Sequence, residues 1–204
     1  MRIAVFGDDQ MAGIAIGQYG MPTLVTPNEP AQLQALLQKQ FNDTGITVQN
    51  ISSGGTSSSL QNELDGMDGL GDGQPQRMLA SGASIVIEEH AVNDALGGET
   101  VAEYSAYLGQ WIQDAQAAGL QPVLEEPGPV CDGSHPQLPA YVAAMDAVAA
   151  TYNVPLIQQY TIILAIDGWQ THMIGCTVPD SYLDSVRAAQ EQAIISAFVP
   201  VIWR

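Results

Sequence analysis

The stretch Val5-Phe6-Gly7-Asp8-Asp9-Gln10-Met11-Ala12-Gly13 begins in an apolar run and ends in a polar turn. The run Ile3–Phe6 is predicted to be a buried strand. Two carboxylates, Asp8 and Asp9, follow it after Gly7. Because ligands of open α/β sheets bind beyond the carboxyl ends of the strands, this stretch indicates both a parallel sheet and a site at its edge.

The rest of the chain alternates apolar runs with helical patterns. The further predicted strands are Thr47–Ile51, Ile85–Ile87, Gln121–Leu124 and Pro155–Ile157. The predicted helices, with apolar residues three or four apart, are Glu29–Phe41, Val101–Ala118, Pro139–Tyr152 and Ser181–Ala197. This order predicts one α/β domain over residues 1–204, a flavodoxin-like three-layer sandwich with helices on both faces of a parallel sheet. We interpret Ser52–Gln76, rich in Gly, Ser and Asp, as a loop with a short helix beside the site.

Composition limits the partners that the chain can bind. Its 204 residues include 22 acidic and five basic ones, a net charge of −17. Nucleic acid and anionic membranes both require a basic patch, so neither is an expected partner. No run approaches the roughly 18 to 20 apolar residues of a membrane span, and Met1–Phe6 does not resemble a signal peptide. We expect a soluble domain with a small-molecule substrate.

The two cysteines, Cys131 and Cys176, are too few for a disulfide scaffold and match no metal-binding spacing. Either they form one bridge or they are two free thiols in the core. The sequence leaves both alternatives open.

Successive blocks of the chain resemble those of the SGNH (GDSL-type) hydrolases. The first block, a strand ending in Gly-Asp-Ser, is similar to Phe6–Asp9, with Asp9 where the family has its nucleophilic serine. In the second block, Asn50–Thr56, the glycine that offers an N–H to the oxyanion corresponds to Gly55, with Gly54 as the second choice. The third block, His90–Ala95, resembles Gly-x-Asn-Asp, and the resemblance makes Asn93 the side-chain oxyanion donor.

The fourth block places the other two members of the family's Ser-His-Asp triad. The family pattern Asp-x-x-His-Pro corresponds to Gly175–Pro179, so Gly175 replaces the aspartate and Val178 replaces the histidine. A serine hydrolase needs the histidine to remove the hydroxyl proton and the aspartate to hold the imidazole. The resemblance therefore implies the family's fold without its ordinary acyl-serine chemistry.

The substitutions suggest a carboxylate in an apolar pocket. Besides Gly54 and His90, the residues expected to line this substrate pocket are Leu164, Ile166, Met173, Ile174 and Val178. An aspartate in such surroundings is desolvated, which disfavours its charged form and raises its basicity. With oxyanion donors at Gly55 and Asn93, the pattern favours general-base chemistry by Asp9 in a hydrolase converted naturally or by engineering. A Kemp-type elimination of an aromatic heterocycle is one concrete candidate, and it needs no cofactor.

Two other classes of function remain open. Asp9 could attack as a nucleophile and form a covalent ester, and water would then be activated by His90 or a glutamate. Alternatively, the chain is a ligand-binding relative without activity.

The remaining polar residues are interpreted as structural. Asp132-Gly133-Ser134-His135-Pro136 imitates the fourth block but lies far before it, so we favour a surface turn there. His172 is expected to be a satisfied structural histidine. Glutamates follow two buried strands and are expected to be hydrogen-bonded within the fold: Glu88, Glu89, Glu125 and Glu126. No ligand spacing for a metal is present, and none is expected to bind.

Overall fold

A five-stranded parallel sheet forms the centre of the structure, a computed structural model that describes residues 1–16, 20–55 and 57–199. The strands are β1 (Arg2–Phe6), β2 (Ile14–Ile16), β3 (Pro22–Leu24), β4 (Thr47–Asn50), β5 (Ile85–Glu88), β6 (Gln121–Glu125), β7 (Leu156–Ile157), β8 (Met173–Ile174) and β9 (Val178–Pro179). The main sheet has the order β4-β1-β5-β6-β7, and all its pairs are parallel. Two small antiparallel pairs, β2 with β3 and β8 with β9, lie outside it.

Helices connect the strands of the main sheet. They are α1 (Asp9–Ala12), α2 (Glu29–Phe41), α3 (Leu60–Leu64), α4 (Gln74–Ser81), α5 (Val92–Gly97), α6 (Val101–Ala117), α7 (Leu138–Tyr152), α8 (Tyr160–Leu164) and α9 (Ser181–Ile195). A 3₁₀ helix covers Trp169–His172. None of the helices in the described ranges is both long and apolar enough to cross a membrane.

Alternate residues of the buried strands supply two cores, one on each face of the sheet. Ala4 and Phe6 face one layer, in which Trp111 of α6 is fully buried. Ile3 and Val5 face the other, formed by α2 and α9. This alternation follows from the two-residue period of a strand. The predicted three-layer α/β domain is confirmed.

The predicted long elements are found with small differences at their ends. Helix α2 has the predicted bounds, whereas α9 ends at Ile195 instead of Ala197. Strand β7 contains only Leu156–Ile157. Ser52–Gln76 contains α3 and the beginning of α4, two short helices where one was predicted. The short elements α1, β2, β3, β8 and β9 were not predicted, because elements of two to four residues carry almost no periodicity.

A disulfide joins Cys131 and Cys176, which are 45 residues apart in sequence. The main-chain N–H of Cys131 also donates to the carbonyl of Cys176 at 2.9 Å. Of the two alternatives left open by the sequence, the bridge is therefore the one found. It ties the loop after β6 to the turn between β8 and β9.

Candidate active site

Asp9 is the first residue of α1 and lies just beyond the carboxyl end of β1. Its Oδ1 accepts a hydrogen bond from the main-chain N–H of Gly55 at 2.8 Å. Its Oδ2 accepts from Nδ2 of Asn93 at 2.9 Å. The structure thus brings together the three residues that the resemblance marks as nucleophile position and oxyanion donors. Both donors already bind the carboxylate of Asp9.

The loop Gly54–Gly55 approaches Asp9 so closely that it requires glycine. A Cβ atom at Gly54 would lie 2.7 Å from Oδ1 of Asp9. Gly55 has φ +100°, a backbone conformation that side chains disfavour. This conformation directs the Gly55 N–H at the carboxylate. Thr56, the last residue of the predicted second block, lies outside the described residues.

Asn93 is held in place by further contacts. Its Nδ2 donates to Oγ of Ser58 at 2.9 Å and lies 3.2 Å from the carbonyl oxygen of Gly55. The Asn93 residue is 8 % exposed. The amide is therefore fixed in the orientation that presents a donor to Asp9.

Asp8 and Gln10, the two neighbours of Asp9, fix the start of α1. The buried Asp8 carboxylate accepts from the main-chain N–H of Gln10 at 3.1 Å and from that of Val92 at 2.9 Å. Burial raises the pKa of Asp8 to about 6. The Gln10 side chain accepts from the N–H of Gly128 at 2.7 Å and donates to the carbonyl of Thr177 at 2.8 Å. These bonds connect α1 to α5, to the loop after β6 and to the turn before β9.

A cavity of about 310 Å³ opens beside Asp9, a volume that fits a small molecule. Its apolar lining residues are Ile14, Ile16, Val92, Leu96 and Val178. Its polar lining comprises Asp9, Gln10, Gly55, Asn93, Asp132, Ser134, His135 and Thr177. The cavity therefore combines an apolar wall with two clusters of polar groups, one around Asp9 and one around His135.

Comparison with protein families establishes the lineage of the chain. A model of the GDSL-like lipase/acylhydrolase family matches residues 5–177. The chain belongs to this family. The resemblance predicted from the sequence blocks is confirmed, and membership of this hydrolase family implies a small-molecule substrate. No curated protein sequence matches the chain.

Solved structures of other hydrolases share the fold. A lipase/acylhydrolase from Enterococcus faecalis is 18% identical, with 96% of this chain and 95% of that chain covered and a TM-score of 0.74. An acetylxylan esterase from Geobacillus stearothermophilus is 15% identical, with 95% and 93% covered and a TM-score of 0.73. A psychrotrophic esterase from Pseudoalteromonas sp., in a structure inhibited by monoethylphosphonate, is 17% identical, with 98% of each chain covered and a TM-score of 0.69.

Some of the residues predicted to line the substrate pocket do not line this cavity. Val178 is 2 % exposed and lines the cavity, as predicted. Ile174 packs behind this wall in the same cluster as Val178. Leu164 is 44 % exposed at the end of α8. Ile166 and Met173 belong to a separate apolar cluster with Trp169 as a buried member. The prediction that Leu164, Ile166, Met173 and Ile174 line the pocket is therefore wrong. Leu164 is exposed, and the other three pack in apolar clusters and do not line the cavity.

His90 also differs from the prediction, because it does not line the cavity. Its residue is fully buried. Its Nε2 lies 3.0 Å from Oε1 of Glu63, and its Nδ1 contacts Glu88. Burial lowers the pKa of His90, but the carboxylates of Glu88 and Glu63 outweigh it and hold this pKa well above the usual value. A buried ring whose two nitrogens face carboxylates, outside the cavity lining, is not placed to act on a substrate.

His135 is the site residue that the sequence prediction misjudged. It is 6 % exposed and lines the cavity together with Asp132 and Ser134. Its Nδ1 lies 3.1 Å from Oδ1 of Asp132 and 2.8 Å from Oγ of Ser134. The spacing Asp-x-x-His-Pro at residues 132–136 was the available signal, and the interpretation as a surface turn discounted it.

The remaining histidine, His172, has a structural setting. Its Nδ1 lies 3.0 Å from Oδ2 of Asp180, and its ring packs on that of Tyr182 with centroids 4.4 Å apart. It does not line the cavity beside Asp9.

The glutamates after the strands are buried and paired within the fold, as predicted. Glu88 contacts His90, and Glu126 accepts from the main-chain N–H of Gln159 and of Tyr160. Nη2 of Arg187 lies 2.9 Å from Oε1 of Glu89 and 3.5 Å from Oε1 of Glu125.

One buried group of carboxylates has the spacing of metal ligands. Oxygen atoms of Glu29, Glu125 and Glu191 lie within 4.8 Å of one another. The guanidinium of Arg187 approaches to 2.8 Å from Oε2 of Glu29 and supplies positive charge to this group. The positive charge of Arg187 therefore compensates part of the negative charge of these carboxylates.

Proposed function

We propose that this chain is a small-molecule hydrolase in which the Asp9 carboxylate is the nucleophile. The proposal is carried by the two hydrogen bonds on Asp9, from the N–H of Gly55 and from Nδ2 of Asn93. In a serine hydrolase such donors stabilise an oxyanion on the substrate. Here they contact the oxygen atoms of the protein's own carboxylate. They would therefore stabilise negative charge that develops when water attacks an ester formed on Asp9.

The chemistry of a carboxylate nucleophile limits the substrate. Attack at an acyl carbon gives an anhydride, and the tetrahedral intermediate would expel carboxylate more readily than alkoxide. Attack at a saturated carbon displaces the leaving group and gives an alkyl ester of Asp9. Water then attacks Cγ of Asp9, the bond from Cγ to the alkyl oxygen breaks, and the alcohol leaves. The proposed substrates are small, mainly apolar molecules with a leaving group on a saturated carbon, matched to the apolar wall of Ile14, Val92 and Val178.

The second candidate is general-base catalysis by Asp9, including proton abstraction from a carbon acid such as a benzisoxazole. The apolar wall beside Asp9 favours it. The hydrogen bonds on Asp9 favour the nucleophile, since donors that bind the base do not bind the anion formed from the substrate. We therefore place covalent chemistry first.

The test is turnover by the parent and by Asp9→Asn with 1-bromobutane and with a benzisoxazole. The proposal expects bromide release by the parent and a loss of about 10⁴-fold in kcat for Asp9→Asn, because an amide is a poor nucleophile. Asp167→Asn is the matched control, since Asp167 is exposed and does not line the cavity. Turnover of the benzisoxazole alone would support the second candidate, and equal turnover by parent and Asp9→Asn would exclude both.

A further inference from the structure

The loop between β6 and α7 carries a second polar group to the cavity. Asp132, Ser134 and His135 line the same cavity as Asp9. In the sequence, these three residues come more than one hundred positions after Asp9. The disulfide from Cys131 to Cys176 anchors this loop to the turn that carries Val178. The group therefore lines the same cavity as Val178, the position where the family resemblance expects a histidine.

Hydrogen bonds fix the orientation of the His135 ring. Nδ1 faces Oδ1 of Asp132 at 3.1 Å and Oγ of Ser134 at 2.8 Å. The Ser134 hydroxyl donates to Oδ2 of Asp132. Burial raises the pKa of Asp132, but the hydrogen bonds from Ser134 and His135 outweigh it and lower this pKa below the usual value. An ionised Asp132 accepts from Nδ1–H, so a neutral ring carries its lone pair on Nε2.

The other ring nitrogen is Nε2. Among the residues that the structure describes, none makes a hydrogen bond to Nε2 of His135, although this atom is buried. The His135 side chain is 3 % exposed. An unpaired buried acceptor is destabilising, and a bound ligand or water molecule would satisfy it. The free Nε2 beside a cavity indicates a place for a ligand or a water molecule.

We propose that His135 is the general base of the second half of the reaction, with Asp132 as a positioning residue; this inference rests on the proposed function of Asp9. Water attacks Cγ of the Asp9 ester while Nε2 of His135 takes one of its protons. The negative charge develops on the Asp9 oxygen that does not carry the alkyl group, where Gly55 donates to Oδ1 or Asn93 donates to Oδ2. The Cγ–O bond to the alkyl group then breaks, the departing alkoxide takes the proton from His135, and the Asp9 carboxylate is regenerated.

The experiment follows the ester on the protein through a single turnover. Parent and variants are mixed with 1-bromobutane and quenched in acid. Intact-protein mass spectrometry then measures the fraction of protein that carries a butyl adduct. For His135→Gln we expect the adduct to form at the parent rate and to decay about 10² to 10⁴ times more slowly. Asp132→Asn should slow decay less and leave formation unchanged. His172→Gln removes a histidine that is also paired with an aspartate but does not line the cavity, and it should behave as the parent.

Different results overturn the two proposals. Adduct decay in His135→Gln at the parent rate would overturn the role of His135 and leave Asp9 as nucleophile. Absence of any adduct in parent and variants would overturn both. Should His135→Gln fail to fold, His135→Ala with added imidazole replaces it. Free imidazole should then restore decay of the adduct, and decay at the parent rate without imidazole would again overturn the role of His135.

Discussion

Nδ2 of Asn93 lies 2.9 Å from Oδ2 of Asp9 and 2.9 Å from Oγ of Ser58, so one amide links the Asp9 carboxylate to the buried Ser58 hydroxyl. Asn93 therefore donates to the carboxylate of Asp9. The hydrogen bond from Nδ2 of Asn93 would become stronger as negative charge grows on Asp9 during ester hydrolysis.

Removing this donor should slow the reaction and leave binding nearly unchanged. We expect Asn93→Ala to lower kcat by about 10² to 10³, the effect of one lost oxyanion donor, with a small change in KM. Steady-state kinetics with 1-bromobutane measure both. Asn62→Ala is the control, since Nδ2 of Asn62 binds the carbonyl of Ser57 outside the cavity. Equal kcat for parent and Asn93→Ala would contradict the role of this contact.

Serine-directed reagents should not inactivate the protein. Position 9 holds an aspartate, so we expect no labelling by an organophosphonate and no hydrolysis of 4-nitrophenyl acetate beyond that by serum albumin. Intact mass after incubation measures labelling, with a serine esterase of the family as positive control. Ser134 is the hydroxyl that lies in the cavity beside His135. Labelling of Ser134 with loss of activity would contradict Asp9 as the nucleophile.

Much of the fold could be predicted because its signals are local. The run Ile3–Phe6 is continuously apolar and the helix Glu29–Phe41 has a clear period, and their bounds in the structure are nearly the predicted ones. Asp9, Gly55 and Asn93 could be brought together because parallel strands end at one edge of the sheet. Each of these residues lies a few positions after the end of a predicted strand.

The rest of the site depends on contacts that no local pattern contains. His135 reaches the cavity because the disulfide from Cys131 to Cys176 and the bond from Gln10 to Gly128 hold its loop, and all these contacts join distant parts of the chain. The sequence predicts Met173 in the pocket because an apolar run alone does not show which way its side chain points. The β8–β9 pairing instead directs it toward Trp169.

The disulfide should stabilise both the fold and the loop that carries Asp132 and His135. We expect Cys131→Ser with Cys176→Ser to lower the free energy of unfolding by about 2 to 4 kcal/mol, as is typical for a bridge that closes a loop of this length. kcat should fall as well, because the bridge holds the loop of Asp132 and His135. Denaturant unfolding with and without reductant measures the effect. The double variant serves as its own control, since reductant should change the parent and not the variant; a parent insensitive to complete reduction would contradict the prediction.

Stability should fall as the pH rises from mildly acidic to mildly basic. Burial raises the pKa of Asp184 to about 7 and raises that of Glu191 well above the usual value. The folded state therefore binds protons that the unfolded chain releases above about pH 4, so their stabilisation is present at low pH and is lost as the pH rises through about 7.

Thermal unfolding between pH 5 and pH 8 checks this sign. We expect Tm to decrease across this range in the parent. Glu191→Gln keeps the shape of the side chain and removes one of these protons, so its Tm should depend less steeply on pH and exceed the parent's at pH 8. A parent Tm that is constant or increases with pH would show that the buried carboxylates are ionised in the folded state.

The most direct measurement is the fate of oxygen in a single turnover with excess protein in oxygen-18 water. Trypsin cleavage after Arg2 and Lys39 releases the peptide that contains Asp9, and fragmentation separates Asp9 from Asp8. A carboxylate nucleophile gives its own oxygen to the alcohol and takes its replacement from water. We therefore predict heavy oxygen in Asp9 and ordinary oxygen in the butanol product. Heavy oxygen in butanol with unlabelled Asp9 would contradict the covalent mechanism.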